Sequence, residues 1–325
     1  MQKLLRIAGL IVAIVMLMQT NLSAQTIDEG VALVQQKRYA EAKAVFEQIL
    51  DKNKNDAEAH YRLGWVLLNR GFKDRNVDEA VDQLEKAVDI NSNNADYQFL
   101  YGSALGQKAQ NSGMIKQAFL APKIKNAFKR AVELNPKLVP ARIGLAQYYL
   151  VAPSIMGGDE DQGWRELDEI VKQDELQGRF LKAHFYERDK KPAEAEKEWK
   201  TLTSSKPKEW RVWKEYGYFH MRAKRPAEAV ICFQKYVELR PDTTDSYESL
   251  AEALLENAKP DQAIVHLRKS LEIDKNFTAA TYYLGEAYQA KGQKKEAKEM
   301  YQFVLNDKSN DSFRKMAEKK LKEVE

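Results

Sequence analysis

The sequence predicts an all-α solenoid of about eight helical hairpins closed by one further helix, and two observations carry that prediction. A small residue recurs along the chain, at Gly30, Gly64, Gly102, Ala146, Ala183, Gly217, Ala251 and Gly285, and the step from Gly30 to Gly64 is repeated three times running from Ala183 to Gly285. In the regular copies a second small residue follows about twelve positions later, at Ala42, Ala195, Ala229, Ala263 and Ala297, with a large one four further on at Phe46, Trp199, Phe233, Leu267 and Tyr301. Each copy therefore reads as two helices. A small side chain lets two helices approach to about 8–10 Å, and the large residue one turn away fills the groove beside it. Pro136, Pro207 and Pro241, or Asn and Ser in their place, punctuate the turns between copies, where no helical N–H is needed.

The start of the chain is of another kind. Lys3 and Arg6 precede an apolar run from Ile7 to Met18, and the polar stretch QTNLSAQ follows with small residues Ser23 and Ala24. That is the three-part plan of a secretory signal peptide, with cleavage expected after Ala24 and export to the periplasm as the consequence. A helix over that apolar run reaches roughly 18 Å, against about 30 Å of bilayer hydrocarbon, so no stable span is expected after cleavage. A retained anchor, giving a membrane-anchored periplasmic assembly factor, is the alternative. Cys232 is the only cysteine and lies far from the signal, so no intramolecular disulfide is available. With 52 Lys and Arg against 48 Asp and Glu, the chain has no overall charge footprint for nucleic acid.

At YRLGWVLLNRG (61–71), YYLGEAYQAKG (282–292) and AFKRAVELNP (127–136), the chain resembles the tetratricopeptide repeat family, which couples a Leu-Gly pair in the first helix to Ala, an aromatic residue, Ala and Pro in the second. The resemblance covers roughly 26–309 and implies a right-handed superhelix. The solenoid is assigned to 25–309, and 310–325 to a capping helix with Phe313, Met316, Ala317 and Leu321 inward.

Three segments break the register. GFKDRN (71–76) lengthens a turn. Residues 103–126 carry Lys108, Lys116, Lys123 and Lys125, no acidic residue, and the apolar Met114, Ile115, Phe119 and Leu120. They read either as two helices lengthened by a turn or so, or as a basic, apolar projection that meets a partner or an anionic membrane surface. In 151–163, Gly157 and Gly158 allow a tight turn, and Asp159 suits an N-cap with Glu160 and Asp161 in the first turn that follows. A calcium loop is disfavoured because its twelfth position is Ile170.

Nothing in the sequence assembles catalytic or metal chemistry. His60, His184, His220 and His266 lie in four different repeats without an HExxH pair, GSALG (102–106) lacks a central serine, no Walker-type loop occurs, and Cys232 reads as a buried thiol. No enzyme activity and no cofactor are expected. Function then falls to surface. In the family the first helices line the concave side, three before, one after and four after the recurring small residue. That assigns Tyr61, Trp65, Leu68, Phe99, Ile143 and Gln147 to an apolar N-terminal half. Phe180, Lys214, Tyr218, Glu248, Glu252, Tyr282 and Glu286 fall in the second half, where acidic residues gather. Exposed apolar groups favour a protein or peptide ligand in the groove, and acidic ones a segment carrying Lys or Arg. A carrier of a small apolar or cell-wall ligand would use the same Tyr61, Trp65 and Phe99 patch.

Overall fold

The computed structural model describes residues 26–307 and 310–324, so the signal-peptide reading of 1–24 lies outside the described part. The chain divides into two compact units, one ending at Gly178 and the other beginning at Arg179. Among the described residues there are 17 α-helices and no strand.

The first unit holds α1 (Ile27–Gln35), α2 (Tyr39–Lys52), α3 (Ala57–Leu68), α4 (Val77–Ile90), α5 (Ala95–Gln110), α6 (Met114–Leu134), α7 (Val139–Val151), α8 (Glu160–Gln173) and the start of α9 (Glu175–Arg188). The rest of α9, with α10 (Pro192–Ser205), α11 (Trp210–Arg222), α12 (Pro226–Leu239), α13 (Thr244–Glu256), α14 (Pro260–Ile273), α15 (Thr278–Ala290), α16 (Lys294–Asn306) and α17 (Asp311–Val324), forms the second. Within each unit, consecutive helices pack as hairpins, and each hairpin packs on the next.

The recurring small residues sit where helices of a hairpin touch. A Cβ added to Gly64 would lie 2.5 Å from Leu84, one on Gly217 2.5 Å from Phe233, and one on Gly285 2.7 Å from Tyr301. The partner positions Phe46, Trp199, Phe233, Leu267 and Tyr301 are all buried, as are the five alanines that precede them. Removing such large apolar side chains from water contributes roughly 1.5–3 kcal/mol each, and at Phe46, Phe233 and Tyr301 a glycine is what lets them close on the facing backbone.

Helix starts follow local chemistry. Asp56, Asn76, Asn94 and Asp159 each cap a helix by accepting from an amide one turn in, as Asp159 Oδ1 does from Gln162 N at 3.0 Å. In the second unit α10, α12 and α14 instead begin with proline, whose fixed φ suits the first helical position.

The three departures from register take distinct forms. Residues 69–76 join α3 to α4, with Phe72 buried against Tyr39. Residues 103–126 become the end of α5 and the start of a 21-residue α6, which is the lengthened-helix reading. Residues 151–163 carry a 3-10 turn, Ser154–Met156, ended by Gly157 at φ +89°, where only glycine is at ease; a Cβ on Gly158 would collide with the Ala152 carbonyl. The capping helix buries Ala317 and Val324, with Phe313 and Leu321 half-buried. Met316, expected inward, is instead 40% exposed, because it stands off the three- and four-residue stripe that α17 turns toward the fold.

Candidate functional site

Each unit offers a face built from its first helices. In the first, Tyr61 on α3 stacks on Tyr97 of α5 with ring centroids 4.9 Å apart, and Arg62 lies over the Tyr61 ring. Tyr97 Oη donates to Glu58 Oε2 at 2.7 Å, tying α5 back to α3. Trp65 and Phe99 are half-buried on the apolar core, Phe99 beside Phe128. Ile143 is half-buried and Gln147 exposed on α7, while Leu68 is buried and offers little surface. The secondary positions Lys116, Phe119 and Lys123 are exposed on α6, and Lys108 and Lys125 are partly covered.

The second unit gathers the more unusual chemistry. Lys214 on α11 reaches α13, its Nζ 2.9 Å from Asp245 Oδ2, and Tyr218 Oη is 2.8 Å from Ser249 Oγ. Glu248 is only 8% exposed and forms no ion pair among the described residues, although the neighbouring Ser249 hydroxyl favours its charged form. Burial first, and then the neighbouring Glu252, push its carboxyl up to about 8. Glu252, one turn on, is also raised, mainly by burial, although the Tyr283 phenol of α15 beside it favours its charged form. Two carboxyls at successive turns thus sit between the phenols of Tyr218 and Tyr283, both of whose own ionisation is pushed up by burial and by these acids. Glu286 is a step away and already engaged: Tyr282 Oη donates to it at 3.0 Å, and Lys320 lies 3.3 Å off. Phe180 packs edge-on to the buried Trp199, 5.1 Å between centroids.

Of the positions read from the sequence, Lys214, Tyr218, Glu248 and Glu252 do come together. Tyr282 does not join them at the surface, because its ring is buried among Tyr283, Tyr301 and Phe313. The residues the spacing rule missed are Asp245, Ser249 and Tyr283. The last two lie two positions before the small residue of α13 and α15, and their polar tips were the available signal.

His60, His220 and Cys232 are held within the fold. His60 hydrogen-bonds Gln83 and the Lys54 carbonyl, and His220 is buried with its ionisation pushed down to about 4 by desolvation. Cys232 is buried, its thiol pushed up to about 12. Among the described residues no three His, Cys, Asp or Glu side chains are grouped to hold a metal ion, and no helix is long and apolar enough to cross a membrane.

No curated protein sequence matches the chain significantly. Its fold is similar to the crystal structure of yeast Tom70, with 16% identity and a TM-score of 0.58 over 88% of this chain, which spans 58% of that one. It is also similar to a tetratricopeptide repeat protein from Parabacteroides merdae, at 15% identity and a TM-score of 0.53, covering 80% of this chain and 96% of that one. Models of the tetratricopeptide repeat match residues 27–95 and 180–243, and again 254–317, which together are more than half of the sequence. The chain belongs to the tetratricopeptide repeat family.

Proposed function

We propose that this chain is a non-catalytic scaffold, exported to the periplasm of the cell envelope, that holds a protein or peptide segment against the first helices of its hairpins. Tetratricopeptide repeats are protein-interaction modules, and the signal-like residues 3–24 support export.

The observation that carries the reading is Glu248, a carboxyl buried without an ion pair, one turn from Glu252 and flanked by Tyr218 and Tyr283. A buried acid is costly to ionise alone, and a Lys or Arg side chain laid beside it supplies the missing charge while its stem packs on the phenol rings. In the first unit, Tyr61, Trp65 and Phe99 offer half-buried apolar area to the non-polar part of such a segment.

The test is affinity capture by the tagged chain 25–325 from the envelope of its own organism. It is run beside Trp65→Glu with Phe99→Glu and beside Glu248→Gln with Glu252→Gln, with helical circular dichroism confirming that each variant folds. A protein held by the wild type and lost by either variant supports the reading. A capture indifferent to both removes these faces as the binding site.

A further inference from the structure

Helix α6 begins with a face that the rest of the fold leaves open. It buries Ala121, Ile124, Ala127, Phe128 and Ala131, one stripe at three- and four-residue spacing. On the other side of its first turns Met114, Ile115 and Phe119 are 77%, 78% and 76% exposed, and Ala118 and Pro122 are exposed between them. At 3.6 residues per turn these five occupy one arc of about 140°. An outward arc of that width ordinarily carries charge; this one has none, and Lys116 and Lys123 border it.

Four lysines surround the arc, with Asp78 and Glu85 of α4 as the acids that meet them. Lys108 is paired with Asp78 at 2.7 Å and Lys123 with Glu85 at 2.9 Å, but Lys116 and Lys125 have no ion pair among the described residues. The first turn of α6 holds no acidic residue, and Gly113 before it provides no side-chain cap, so the positive end of the helix dipole is also open. The insertion that follows α7 lies against α6, where Gly157 approaches Lys125, and it adds Ile155 at 93% exposure, the most exposed large apolar side chain described.

We propose that this face docks the protein on an anionic lipid surface, with Met114, Ile115 and Phe119 entering the headgroup boundary and Lys116 reaching the phosphates. The apolar side chains project rather than line a hollow, and a fluid surface receives projecting groups without a matching pocket. A second copy meeting the same face across a two-fold axis would bring like-charged lysines together, which disfavours self-association there.

The test uses the full chain with Ala118→Cys labelled by nitrobenzoxadiazole, which reports on this face alone; Cys232 is buried and stays unlabelled. Vesicles of phosphatidylethanolamine containing phosphatidylglycerol are expected to shift its emission to the blue and brighten it, whereas phosphatidylcholine vesicles leave it little changed. Ile115→Glu with Phe119→Glu is expected to weaken that response by more than about tenfold. No shift with the anionic vesicles, an equal shift with phosphatidylcholine, or a shift that survives the double substitution overturns the proposal. A shift that instead follows protein concentration without lipid overturns it in favour of a second copy, and one that needs an added acidic protein overturns it in favour of that partner.

Discussion

Lys214 on α11 and Asp245 on α13 form an ion pair at 2.9 Å between successive hairpins, and Tyr236 Oη donates to the same Asp245 oxygen at 2.6 Å. The lysine is held by Asp245, so its charge reaches Glu248, one turn further on, without forming an ion pair with it. Lys214→Met is expected to tighten binding of a lysine-bearing segment by removing a competing positive charge, and Glu248→Gln to weaken it. Titration calorimetry with the captured partner's binding segment checks both signs.

The same burial sets a pH dependence. Glu248 is raised to about 8 in the folded chain, against about 4.3 for a free glutamate, so the folded state holds a proton that the unfolded state has lost. Its stabilising contribution is complete below the unfolded value and is lost as pH rises to 8. The stability of the wild type should therefore fall between pH 5 and pH 9 relative to Glu248→Gln, by up to about 4 kcal/mol at the alkaline end, as read by thermal unfolding. Binding of a cationic segment runs the other way and strengthens over that range, because the carboxylate is its partner.

Glycines in the first helices separate into two kinds. Gly217→Ala would set a Cβ 2.5 Å from the fully buried Phe233 ring, which has nowhere to move, and overpacking should outweigh the gain in helix propensity for a net loss of about 1–2 kcal/mol. Gly106 has open space where its Cβ would be, so Gly106→Ala in α5 should gain about 0.5–1 kcal/mol. Urea unfolding of the two variants checks the contrast.

The turns inside the hairpins hold a further strain. Lys190, Lys224, Ala258 and Gly292 occupy the same turn in successive repeats, and all have positive φ, from 55° to 74°. Only the last is a glycine. Ala258→Gly should stabilise by up to about 1 kcal/mol and Gly292→Ala should destabilise by a similar amount, read as opposite shifts of the urea midpoint.

The hairpins were legible because a close approach of two helices needs a small residue at a fixed place, and the sequence writes that place once per repeat at a nearly constant interval. Within the sites, the same register put Lys214, Tyr218, Glu248 and Glu252 on one face. It chose Tyr282 over Tyr283, which stand about 100° apart around α15; the first is drawn into the aromatic contact with Phe313 of the capping helix, and the second faces the charge of Glu252. Nor could it find Asp245, whose role depends on how α11 meets the next hairpin. The open face of α6 was visible as composition, but its exposure follows from where the lengthened helix outruns its neighbours.

Site-specific photocrosslinking in the native cell distinguishes the first helices from the second as the binding face. A benzophenone amino acid at Gln147 and at Glu252, on first helices, is compared with one at Lys200 and at Gln234, on second helices. Binding along the first helices requires that the first pair crosslinks to a discrete envelope protein and the second pair does not. Crosslinks from Lys200 or Gln234 alone, or from none of the four, would contradict it.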